Sequence, residues 1–158
     1  MQERYDVMQV CLNGHVITDS AVTFPQFAKP FCPDCGERTI TACPDCNAPI
    51  QGALREVPFF HEKPAPNNCH HCGTAYPWRQ AAIASAIEML EMGLEGQNAA
   101  AVAGLVRDVA TETPRTQLAA LKLKMLLPKL GKATYDIAIK VVSDLASETA
   151  KKTLGLKP

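Results

Sequence analysis

Four short ligand pairs restrict this chain more than any other feature: Cys11-Leu-Asn-Gly-His15, Cys32-Pro-Asp-Cys35, Cys43-Pro-Asp-Cys46 and Cys69-His-His-Cys72. In a C-x2-C pair both sulfurs can reach one ion at ~2.3 Å while the intervening amides turn inward onto the thiolates. Tetrahedral zinc sites are built from two such pairs brought together by folding. The residue after the second cysteine has to leave the tight knuckle at positive φ, which Gly accepts freely and Asn at small cost. Those residues are Gly36, Asn47 and Gly73. In the first pair, Asn13-Gly14 is a turn signal that swings His15 back toward Cys11, so that an imidazole stands in for one sulfur.

Eight ligands predict two structural Zn2+ ions per chain. A buried apolar thiol explains a lone cysteine but not seven in this spacing. Iron–sulfur ligation is the chemical competitor, yet one set with a histidine and one with four thiolates both suit zinc. His70 and His71 sit inside a knuckle, where solvent-facing side chains are usual, and His61 reads as a loop or strand residue. The pairing has three forms. Sequential pairing joins Cys11, His15, Cys32 and Cys35 on one ion and Cys43, Cys46, Cys69 and Cys72 on the other. A crossed form joins pairs one with three and two with four, and a nested form joins the two middle pairs. The sequential form is preferred because it closes local loops of 16 and 22 residues, at lower entropic cost than longer ones.

The composition changes near Tyr76 to Arg79, which predicts an α+β chain of two parts. Residues 1–78 form tandem zinc ribbons of short β-hairpins, with β-prone stretches at Val16–Thr18, Arg38–Thr41 and Val57–His61 and a loop at 63–68. Phe24, Phe27, Phe31, Phe59 and Phe60 are their main large apolar residues. Residues 79–158 form three to four helices. The first opens at Pro77, follows Ala81, Ala84, Ile87 and Leu90 or Glu91, and stops at Gly93. The second covers Gln97 to Ala110, with an Ala100-x3-Gly104 spacing that would admit a close neighbour. The third runs from a Thr113-Pro114 cap to about Gly131, where Pro128 should kink or end it. The last covers Ala133 to Thr153, with Ala138, Val141, Val142, Leu145 and Thr149 on one face. Tyr76 and Trp78 are expected to pack the two halves together.

These motifs, CLNGHVI at 11–17 together with CPDCG, TI-x2-CPDCNAPIQG and CHHCGTAYPW, resemble an uncharacterised bacterial family of small zinc-ribbon proteins. The likeness continues through TPRTQLAALKLK and DLASETAKKTLGL, and all eight ligand positions match. The resemblance implies zinc binding and a domain of unknown function, with no substrate or partner. Pro128 departs from it, in a segment expected to be continuously helical.

Balanced charge, 16 basic against 16 acidic side chains, gives no general attraction to nucleic acid or membrane. The opening MQERYDVMQV lacks a secretory pattern and no run approaches the ~18 apolar residues of a span, so a cytoplasmic location is expected, where cysteines bind metal rather than form disulfides. Full ligand sets, with no HExxH, phosphate loop or free nucleophile, argue against an enzyme and against a small-molecule substrate. The expectation is a noncatalytic module for a protein partner or for self-association. The alternative is nucleic-acid binding through Arg115, Lys122 and Lys129, which recur every seven residues, with Lys132 close by.

Overall fold

The computed structural model describes residues 4–56 and 63–157. The expected strand at Val57–His61, with Phe59, Phe60 and His61, lies outside them. The chain divides into two compact units, Met1–Gln80 and Ala81–Pro158, and is α+β, with short antiparallel strands first and helices after.

In the first unit β1 (Tyr5–Val7) pairs antiparallel with β5 (Gln51–Leu54), while β2 (Gln9–Cys11) lies between β3 (Val16–Thr18) and β4 (Thr39–Ile40). The strand expected at 16–18 forms as such and the one at 38–41 shortens to two residues. Strands β1, β2 and β5 were not anticipated, because three or four residues carry too little alternation to declare themselves. Their pairing changes the picture of local hairpins: the segment from β1 to β2 reaches both ribbons. Val10 faces Ile40 and Cys11 faces Thr39, and Met8 N–H donates to the Ile50 carbonyl at 2.8 Å.

The core of this unit is Met8, Val10, Ile50 and Tyr76 packed with Cys43 and Cys69. The described phenylalanines do not supply it, since Phe24, Phe27 and Phe31 are exposed. Two buried polar side chains fasten the loops instead. Gln9 accepts from Lys29 N–H through Oε1 at 2.9 Å and donates from Nε2 to the Lys29 carbonyl at 3.0 Å and to Thr39 Oγ1 at 2.8 Å. Asp6 accepts from the backbone N–H groups of Val7, Val22 and Thr23 and from the Thr23 hydroxyl. A buried carboxylate is tolerated because its lone pairs are so fully met. Gly52 is equally constrained, as a Cβ there would lie 2.1 Å from the Asp19 carbonyl oxygen.

Tyr76 and Trp78 stack with ring centroids 4.7 Å apart, and Trp78 Nε1–H donates to the Pro66 carbonyl at 3.0 Å. Both rings therefore serve the first unit's own core.

The second unit has five helices rather than three or four: α1 (Pro77–Gly93), which begins within the first unit, α2 (Gln97–Ala110), α3 (Thr116–Leu126), α4 (Lys132–Leu145) and α5 (Glu148–Leu154). Its core is aliphatic and small, with Leu90, Val102, Val106, Ala120, Leu123, Ala138 and Val142 among the buried residues. On α1 the buried stripe is Ala86, Ile87 and Leu90, continued by Leu94 just past its end, and Ala81 and Ala84 are exposed. The close approach falls at Gly93, where a Cβ would lie 2.5 Å from Leu130 Cδ2, and not at Gly104, where a Cβ would meet nothing. Helix α3 starts two residues later than expected because Thr116 is buried, its hydroxyl donating to the Thr111 carbonyl at 2.6 Å. It ends at Leu126, and Pro128 occupies a 3-10 turn, Leu127–Lys129, as its missing N–H and ring demand. The single last helix is two. Ser147 interrupts it, its Oγ capping Ala150 N–H at 3.3 Å while its own N–H donates to the Val109 carbonyl at 2.9 Å. The break brings Ala146 and Ala150 into the core. Among the described residues no helix is long and apolar enough to cross a membrane.

Candidate metal centres

Each ligand pair is a turn held by its own backbone. In the three C-x2-C knuckles the N–H of Gly36, Asn47 or Gly73 donates to the carbonyl of Cys32, Cys43 or Cys69, at 2.9 Å in each case. The first cysteine's N–H then donates to the carbonyl of Glu37, Ala48 or Thr74, at 2.8 Å in each. Antiparallel bridges close the turns at the same offset: Phe31 with Arg38, Ala42 with Pro49, Asn68 with Ala75. The post-cysteine residues have φ of 75°, 60° and 78°, and Asn47 is the one non-glycine at positive φ among the described residues. Three copies of one local solution arise from three copies of one local sequence. The first pair is a variant, with Gly14 N–H on the Cys11 carbonyl at 2.9 Å and Gly14 at φ 91°. A Cβ at Gly14 would lie 3.0 Å from Trp78, so the turn also rests on that ring.

Folding groups consecutive pairs. Cys11, His15, Cys32 and Cys35 form one cluster, and Cys43, Cys46, Cys69 and Cys72 the other, with the ligand atoms of each within 4.8 Å of one another. Cys11 Sγ lies 3.5 Å from His15 Nδ1 and 3.7 Å from Cys35 Sγ, and Cys32 Sγ lies 3.6 Å from the same Nδ1. In the second cluster Cys43 and Cys72 sulfurs are 3.8 Å apart, and those of Cys46 and Cys69 3.6 Å. A regular tetrahedron with ~2.3 Å metal–sulfur bonds has edges of about 3.8 Å, and replacing one sulfur by a nitrogen at ~2.0 Å shortens its edges to about 3.5 Å. The two sets match those edges and are far from the ~2.05 Å of a disulfide. Both clusters can bind metal ions, in an arrangement consistent with zinc-ribbon-like sites.

The thiols differ in how their surroundings treat the thiolate. The backbone N–H of Glu37, helped by the Asn13 amide, holds Cys35 down at about 6, and the N–H groups of Cys72 and His71 hold Cys69 at about 6. The Thr74 hydroxyl lowers Cys72. Although the Ala48 N–H favours its thiolate, Cys46 is pushed up to about 12 by desolvation and by its cysteine neighbours, and burial raises Cys11. Thiolates this close ionise together only beside a cation.

Two polar side chains that are not ligands also reach the sulfurs: Asn13 Nδ2 donates to Cys35 Sγ at 3.4 Å, and Thr74 Oγ1 lies 3.5 Å from Cys72 Sγ. Their signal was available, since a short polar side chain within two residues of a ligand can reach a thiolate. His70 and His71 are exposed and outside both clusters. The four cations proposed for phosphate contact are all exposed, but they do not share one helix. Arg115 precedes α3, Lys122 lies on it, Lys129 lies in the 3-10 turn and Lys132 opens α4. Arg115 Nε is 3.2 Å from Asp108 Oδ2, and Lys129 Nζ is 3.5 Å from Asn98 Oδ1.

Neither the curated proteins nor the solved structures hold a match to this chain. The family model described as an uncharacterized protein conserved in bacteria (DUF2321) matches residues 4–154, a span holding all eight ligands, and the chain belongs to that family.

Proposed function

We propose that this protein is a noncatalytic, cytoplasmic zinc protein, with two Zn2+ per chain, that serves as a protein-interaction or assembly module. The observation that carries the reading is that each cluster brings four ligand atoms to tetrahedral spacing. A catalytic zinc keeps a position open for water beside three protein ligands, whereas a four-ligand set holds structure. The ions then do for the first unit what a larger core does elsewhere, leaving surface for recognition. The tetrahedral edges fit a single ion rather than an iron–sulfur cluster, and the mixed Cys3His set favours zinc. Nucleic-acid binding is the weaker reading, because its four cations fall on separate elements and two already have partners. Elemental analysis of protein purified without added metal should find about two zinc ions per chain. A value near one, or iron in place of zinc, overturns the assignment.

A further inference from the structure

Helix α3 is apolar on two opposite faces. Thr116, Ala119, Ala120 and Leu123 point inward, and the helix packs against α2 and α5. Leu118, Leu121 and Met125 recur at i, i+3 and i+7 on the other side, 55%, 48% and 74% exposed. That spacing makes one stripe along the helix, and a contiguous exposed apolar stripe marks an interaction surface. Lys122 flanks it, and no acidic residue occurs from Thr113 to Tyr135. Pairing this face with its own copy would set like charges together, which opposes it.

The complement is on the same unit. No lysine or arginine occurs from Gln80 to Val106, and the outward face of α1 carries Glu88, Glu91 and Met92, with Met92 83% exposed. Met is the adaptable apolar residue of protein-docking surfaces. One helix thus presents an apolar stripe within a segment that has no acidic residue, and another presents a methionine beside two glutamates within a segment that has no basic one.

We propose that the chain self-associates, the α3 stripe of one copy docking on the acidic face of α1 of a second. This deepens the interaction-module reading by naming the partner and depends on that reading for its role, but not on the identity of the metal. Reciprocal exchange of the two contacts about a twofold axis is the arrangement that closes.

The test is the mass of the full, metal-loaded chain by analytical ultracentrifugation at tens of micromolar, with zinc content and helical circular dichroism measured on the same samples. Wild type should sediment as a dimer, more weakly as salt rises. L118E/M125E, which changes only exposed positions, should sediment as a monomer with dichroism and metal content unchanged. Lys122→Glu alone should weaken association by about tenfold, and adding Glu91→Lys in the same chain should recover it. A single-chain mass for wild type at every concentration overturns the proposal and leaves the stripe to a different acidic protein. A dimer indifferent to these variants overturns it as well. A dimer without zinc would instead count against the metal assignment alone.

Discussion

The two units solve the same problem with different materials. The helical unit buries a set of alanines, valines and leucines on five helices, and such faces gain roughly 25 cal/mol for each Å² of apolar surface removed from water. Among the described residues the first unit's core has four large non-cysteine side chains, Met8, Val10, Ile50 and Tyr76, and the described phenylalanines lie outside it. Its order comes from knuckles, buried polar fasteners and the two ligand clusters. A unit with few large side chains in its described core has the more to gain from a metal or an equivalent staple, and the helical unit the less. Stability in one is concentrated at a few atoms and in the other spread over many.

Removing the metal should separate them most widely. Strong chelation under reducing conditions is expected to unfold residues 1 to about 80 while most of the helical circular-dichroism signal survives, because structural zinc supplies apparent binding energies of ~10 to 16 kcal/mol. Cys43→Ser should lower zinc content and act in the same direction. Hydrogen exchange on chelated protein locates the loss. Protection vanishing together in both units would erase the contrast drawn above.

A core truncation should reverse the asymmetry. Leu123 is fully buried on α3, and Leu123→Ala is expected to cost about 2 to 5 kcal/mol. The melting of the helical signal should move down while zinc stoichiometry and the exchange protection of the knuckle amides stay as they are. A loss of zinc in this variant would mean that the two units fold as one.

The smallest effect sharpens the picture of the first unit. Burial opposes the Asp6 charge, but the Thr23 hydroxyl and the N–H groups of Val22, Val7 and Thr23 outweigh it and hold the carboxyl below its ordinary value of 3.8. A carboxyl with a lowered pKa in the folded state stabilises above its unfolded value, and loses that contribution as pH falls through the folded one. Asp6→Asn should therefore destabilise the first unit by about 1 to 3 kcal/mol at neutral pH. The difference from wild type should stay level from about pH 8 to about pH 5 and shrink only below roughly 4. A difference that already changes between pH 7 and 6 would show that another group is responsible.

The sites were more legible than the scaffold that holds them. A knuckle is a local object: Cys32, Cys35 and Gly36 specify their own turn through φ and two backbone hydrogen bonds, so spacing and one post-cysteine residue announce it. The same holds for the Asn13-Gly14 turn and for α2, whose bounds coincide with its periodicity. Pro128 likewise announced an end to α3, for a steric reason that no neighbour can change.

What the sequence by itself determined, then, is whatever a few adjacent residues can enforce: four ligand turns, the α+β division and the helical character of the second half. Tertiary structure alone decided the rest. That β1 and β2 join the two ribbons, and that Tyr76 rather than a described phenylalanine fills the core, depend on residues dozens of positions apart. The split between α4 and α5 belongs here too. Nothing between Leu145 and Glu148 forbids a helix, and Ser147 leaves it because the Val109 carbonyl offers its N–H a partner at 2.9 Å. Such a choice is invisible in a local window, because the group that wins the competition for the hydrogen bond lies on another helix.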